Sequence, residues 1–257
     1  MNDIKDFDIV DGVLTKYRGK DSEVVVPEGV TFIGDNAFFE CDGVDSIVLP
    51  EGITQIGYRA FSGCLCRSIT LPHSIKCIGE EAFYMCEYLD KIDIPDSIES
   101  IGDKAFSYCR YLTSINCFKT LNSNKNYKSI DGNLYTKDGK TLVSYAVGKL
   151  KHEFVVPQSV KNIGSFAFHG CEEIYEIHMP QGVQIIGEGA FAECVNLHTI
   201  ELPKSISSIG KDAFFYCVSM IDFQLDEKNK YFQLINGDLY KKDGSLVAKC
   251  ESENDNI

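Results

Sequence analysis

The sequence has no apolar run approaching about eighteen residues, which excludes a membrane-spanning helix of ordinary length. It has no His-Glu-x-x-His, no Gly-x-Ser-x-Gly and no glycine-rich loop closed by Lys and Ser or Thr. Those patterns place a zinc pair, an exposed serine nucleophile and a phosphate cradle, so the commonest hydrolase and nucleotide-binding sites are missing. No Asn-x-Ser/Thr glycosylation acceptor occurs either. Basic residues are in deficit, 25 Lys and Arg against 38 Asp and Glu, for a formal net charge of −13. Nucleic acid and anionic membranes need clustered Lys and Arg, so both are disfavoured as partners, while a basic partner is permitted. The start, Met1-Asn2-Asp3-Ile4-Lys5-Asp6, lacks the basic-then-apolar order of a secretory signal, and a cytoplasmic address is the expectation. His73, His152, His169, His178 and His198 read as scattered surface residues.

What is present is a period. The seven prolines lie at 27, 50, 72, 95, 157, 180 and 203, at steps of 22 or 23 with one step of 62. Ile-Gly follows at 33, 56, 78, 101, 163, 186 and 209. Ala-Phe follows in turn at 37, 60, 82, 105, 167, 190 and 213. A cysteine stands three residues after each phenylalanine: Cys41, Cys64, Cys86, Cys109, Cys171, Cys194 and Cys217. A fixed period of this size means stacked supersecondary units, none of which can bury its apolar face alone. The long step hides one more unit, with Phe118 at the proline position.

Each place in the unit has a physical reason. The stretch before proline, as in Ser46-Ile47-Val48-Leu49, alternates and reads as a short strand, with Ile47 and Leu49 inward and Ser46 and Val48 outward. Proline ends the strand. Ile53 and Ile56 return to the core, and Gly57 suits a positive φ or a close backbone approach. The acid that often follows, as at Asp35, Glu80, Asp103 and Glu188, suits the first turn of a short helix. Alanine stays small where units press together, and the phenylalanines should stack as an inner column. Equivalent cysteines run parallel and do not converge as metal ligands must, so they read as small buried fillers. Cys66, Cys77, Cys117 and Cys250 fall off that column, and Cys64-x-Cys66 is a weak chelate signal without a matching pair.

The phrase Leu-Pro-x-x-Ile-x-x-Ile-Gly-x-x-Ala-Phe-x-x-Cys resembles the BspA-like class of leucine-rich repeats. The resemblance covers nearly the whole chain and rests on seven copies. It implies an α/β repeat solenoid, a right-handed coil with one short strand and one short helical turn per 23 residues or so. It also implies a non-catalytic protein that binds other proteins, with no cofactor. Members are often bacterial surface or secreted proteins, so an adhesin contacting host proteins is the alternative reading.

Three segments break the period and carry Asp-Gly or Asn-Gly between apolar stretches, at 11–12, 131–132 and 236–237, the strongest short hairpin signal. The expected organisation is one solenoid over 1–257. It has a hairpin cap at 1–22, a first block at 23–118, a central meander at 119–156, a second block at 157–226, a meander cap at 227–250 and a disordered acidic tail at 251–257. The exposed row of strand residues is the expected binding face. Two outward rows start apolar and small, with Val25, Val48 and Thr70, and become polar and acidic. The candidate protein-binding residues are therefore Asp93, Glu176, His178, Thr199, Glu201, Asp222 and Gln224.

Overall fold

The structure is a computed structural model that describes residues 3–117 and 124–250. Phe118, the 119–123 part of the expected meander and the 251–257 tail lie outside the described residues. The described chain divides into two compact units, residues 1–137 with 146–148 and residues 138–145 with 149–257.

In each unit the repeat forms a β-solenoid. The strand before proline builds one parallel ladder. In the first unit it runs Glu23–Val25, Ser46–Val48 and Ser68–Thr70, then a second pair, Lys91–Ile94 with Ser114–Cys117. In the second unit it is continuous through Glu153–Val155, Glu176–His178, Thr199–Leu202 and Asp222–Leu225. The Ile-Gly segment forms a second parallel ladder of two-residue strands. These are Phe32–Ile33, Gln55–Ile56, Cys77–Ile78 and Ser100–Ile101 in one unit, and Asn162–Ile163, Ile185–Ile186 and Ser208–Ile209 in the other. The alternation behaves as read: Ile47 and Leu49 are buried and Val48 is exposed.

The expected helical turn does not form. The only helix among the described residues is a 3-10 turn at Ile4–Asp6. Two residues of each Gly-x-x-Ala-Phe-x-x-Cys segment are left-handed, Asn36 and Glu40 in the first coil, Gly189 and Glu193 in a later one. A left-handed residue at every fourth place stops helix propagation. Alternate amides then point two ways. Ala37, Phe39 and Cys41 donate to the carbonyls three residues back. Asn36, Phe38 and Glu40 donate to Tyr58, Ala60 and Ser62 of the next coil, at 3.0, 2.7 and 2.9 Å. The turn is therefore a third inter-coil ladder, and Asp35, read as a helix-start acid, instead accepts the Tyr58 N–H through Oδ1 at 2.8 Å. The fold is a β-solenoid and not α/β.

Stacking explains the small residues. A Cβ on Gly79 would lie 2.7 Å from the carbonyl carbon of Gly57, so the glycines serve close approach and need no positive φ. The phenylalanines stack as two columns. Phe38, Phe61, Phe83 and Phe106 have successive centroids 5.0, 5.3 and 5.6 Å apart. Phe168, Phe191 and Phe214 follow at 5.0 and 5.5 Å. A tyrosine heads each column, Tyr17 on Phe38 at 5.3 Å and Tyr145 on Phe168 at 5.0 Å. Such pairs add about 0.5–1.5 kcal/mol beyond burial. The cysteines do more than fill space: the thiols of Cys86, Cys109, Cys194 and Cys217 donate to the phenylalanine carbonyls of the preceding coil at 3.0 to 3.1 Å. Burial pushes the Cys109, Cys171 and Cys217 thiols up to about 12. Cys66 belongs to the core as well, fully buried where neighbouring coils carry Val44 and Leu89.

The three hairpins form at the expected dipeptides, with both central residues at positive φ in Asp11-Gly12, Asp131-Gly132 and Asn236-Gly237. Each later meander is anchored by an asparagine that the sequence reading passed over. Asn124 Nδ2 donates to the carbonyls of Pro95 and Ile98, while its Oδ1 accepts the N–H groups of Asn126 and Tyr127. Asn229 repeats this on Pro203, Ile206, Tyr231 and Phe232.

Candidate functional site

The strand ladder of the second unit brings six of the seven candidate residues onto one face. Glu176 pairs with Thr199 and Thr199 with Asp222, and Glu201 pairs with Gln224. Inward neighbours Ile177, Ile200 and Phe223 are buried, so the alternation holds the candidates toward water. His178 is the junction of the group. Its Nδ1 lies 2.9 Å from Glu201 Oε1 on the next strand, and its Nε2 lies 3.8 Å from Glu176 Oε2 on its own. The Glu201 hydrogen bond raises the His178 pKa above its ordinary value, with the charges of Glu201, Glu176 and Glu153 adding to it. His178 is thus not an isolated surface histidine.

Asp93 belongs to the first unit, on Lys91–Ile94, where it accepts a 2.9 Å hydrogen bond from Asn116 Nδ2. That unit offers a different face, with Val25 and Val48 exposed and Thr70 beside them.

At the lower end of the second unit's face lies a shallow hollow of about 290 Å³. Glu201, Gln224, Leu225 and Asp226 line it. Gln181, also in its lining, donates from Nε2 to Asp226 Oδ2 at 3.3 Å. The Lys228 backbone N–H, donating to Asp226 Oδ1 at 2.9 Å, holds that carboxyl below its ordinary value.

Two further histidines belong to a row along the upper edge of the face. His152 and Tyr175 stack with centroids 4.6 Å apart at 7°, and Tyr175 meets His198 edge-on at 5.3 Å. Positions 152, 175, 198 and 221 are 23 apart, so the repeat ruler could have found this stripe. His169 is buried.

Among the described residues no group of three His, Cys, Asp or Glu side chains is placed to hold a metal ion, and no helix is long and apolar enough to cross a membrane. The face offers hydrogen-bonding and charged groups on a parallel sheet.

A family model described as BspA type leucine rich repeat region matches in six copies over residues 16–131 and 145–237. Among solved structures, a leucine-rich repeat protein from Eubacterium ventriosum is similar at 26% identity with a TM-score of 0.68. The match covers 83% of this chain and 65% of that one. The leucine-rich repeat protein of T. pallidum is 29% identical at a TM-score of 0.51, covering 86% and 91%. The pneumococcal vaccine antigen PcpA, 20% identical at a TM-score of 0.63 over 80% and 62%, shares the fold. The chain thus spans a little under two thirds of the E. ventriosum and pneumococcal proteins. Among curated proteins none matches it.

Proposed function

The chain belongs to the BspA-type leucine-rich repeat family, and from that premise we propose that it is a non-catalytic scaffold that binds a basic protein through the strand face of its second unit. The observation that carries this reading is the set of carboxylates Glu153, Glu176, Glu201 and Asp222, one on each of four neighbouring strands around His178. Strands lie about 4.8 Å apart, so adjacent carboxylates act within one Debye length, roughly 8 Å at physiological salt, and their fields add. Such a face speeds the encounter with a basic patch more than it tightens the complex. The polypeptide behind it is held by two parallel ladders and the turn ladder, so little ordering accompanies binding. Eleven free thiols, seven of them buried, suit a reducing compartment. Fractionation of the source cells tests that address.

The experiment on the face is affinity capture with the whole chain beside the triple variant Glu176→Lys, Glu201→Lys, Asp222→Lys. All three side chains face water, so folding should persist. Capture of a basic protein should weaken and lose its salt dependence. Unchanged capture by the variant means that this face is not the binding surface.

A further inference from the structure

The end of the second unit carries a second surface of opposite charge, in a chain that is otherwise strongly acidic. Every coil leaves the same backbone groups for its successor. The carbonyl of the Ile in Ile-Gly accepts the next coil's glycine N–H: Ile33 from Gly57, Ile163 from Gly187 and Ile186 from Gly210, at 2.8, 2.9 and 2.8 Å. The Ser208 and Gly210 N–H groups point back to Gln184 and Ile186, so the Ile209 N–H and carbonyl both face onward, and Ser208–Ile209 is the last strand of its ladder among the described residues.

The first unit shows how such an edge is closed. There the last strand is Ser100–Ile101, and the hydroxyl oxygen of Tyr127, the third residue after Asn124, accepts from the Ile101 backbone N–H. In the second unit the third residue after Asn229 is Phe232, set by the same asparagine contact at 2.9 Å. Its ring is buried, but it has no hydroxyl oxygen to accept the Ile209 N–H. A cleft of about 370 Å³ opens along this edge, lined by Ser208, Ile209, Phe232 and the lysines Lys230, Lys241 and Lys242. Asp243 is the one carboxylate among its walls, and the Ser245 hydroxyl and N–H already bond it at 2.6 and 2.9 Å. The three ammonium groups are exposed and form no ion pair among the described residues.

We propose that this cleft binds an extended acidic segment of a partner protein, which adds as a strand to Ser208–Ile209 and places its carboxylates on Lys230, Lys241 and Lys242. Only a polypeptide uses both features, since the open strand edge asks for backbone donors and acceptors and the lysines ask for anions. A second copy of the chain joined head to tail is a poor fit. Its first coil is already covered, because the Tyr17 N–H occupies the Ala37 carbonyl at 2.9 Å and the Tyr17 ring lies on Phe38. The inference is independent of the acidic face proposed above, whose partner has the opposite charge.

The test is fluorescence anisotropy of the whole chain with a labelled decapeptide alternating glutamate and valine. A lysine–valine decapeptide and inorganic phosphate serve as comparisons. Saturable binding of the acidic peptide is expected. The variant Lys230→Gln, Lys241→Gln, Lys242→Gln should lower its affinity about tenfold or more. Phe232→Tyr, which supplies the hydroxyl found in the first unit and changes no charge, should lower it several-fold. Circular dichroism melting confirms that both variants fold. The proposal is overturned if the acidic peptide does not bind or if the lysine variant binds it unchanged. It is equally overturned if phosphate binds as tightly as the peptide and Phe232→Tyr has no effect, since the cleft is then an anion site only. Binding of the lysine–valine peptide should be insensitive to both variants, because it reports the acidic face.

Discussion

The two units share one coil and differ in what the coil displays. Inside, they are interchangeable: the same phenylalanine column headed by a tyrosine, the same thiol-to-carbonyl contacts, and the same asparagine at the start of the following meander. Outside, they diverge. The first unit shows Val25, Val48 and Thr70 on its strand face, and an edge stack of Tyr88 on Tyr111 with centroids 5.8 Å apart. The second unit shows carboxylates around His178 and the His152–Tyr175–His198 stripe. Inward positions must pack against their equivalents above and below, so they stay apolar and most keep one type of side chain. Outward positions meet water and are free to vary, and that is where function can differ between units.

The largest effect should come from the shared interior. Phe61→Ala in the first unit and Phe191→Ala in the second each remove a ring stacked on both sides. Each should cost about 3–5 kcal/mol in urea unfolding. Phe39→Ala, one place past the column and only half-buried, should cost far less. A large difference between the Phe61 and Phe191 variants would break the claim that the interiors are equivalent.

A smaller effect is expected at the meander anchors. Asn124→Ala and Asn229→Ala each leave buried carbonyls and amides without their partner, at about 2–3 kcal/mol apiece. Asn196, part-buried with a single bond to the Glu172 carbonyl, is the control and should cost under about 1 kcal/mol. If all three behave alike, the anchors are ordinary surface asparagines and the comparison loses its second leg.

The smallest effect sharpens the outer difference. NMR titration should find the His178 midpoint above the ordinary histidine value of about 6.5, and Glu201→Gln should bring it down. Because the folded pKa is raised, any stability from this contact is fully present below the unfolded pKa and fades as pH rises through the folded one. Deprotonation also makes the face more acidic, so capture of a basic protein should strengthen over the same interval. A midpoint unmoved by Glu201→Gln would separate His178 from the carboxylate face.

Much of this molecule was legible in one dimension. The 23-residue ruler located the strands, the core isoleucines and the phenylalanine stacks, and the Asp-Gly and Asn-Gly dipeptides that break it located the three hairpins, because each follows from a side chain's size or a local backbone preference. It also placed Glu176, His178, Thr199, Glu201, Asp222 and Gln224 on the outward side of successive strands, since period-two alternation fixes direction. Three-dimensional packing alone decided the rest. The Ala-Phe turn reads as a helix locally and becomes a third ladder, because its alternate amides find carbonyls on the next coil. Asp35 and Cys86 likewise take partners about 23 and 25 residues away. The exchange of Tyr127 for Phe232 looks conservative in sequence. Only the fold gives it meaning, because it sets the Tyr127 hydroxyl against the Ile101 backbone and the Phe232 ring beside Ile209 in a cleft lined by lysines.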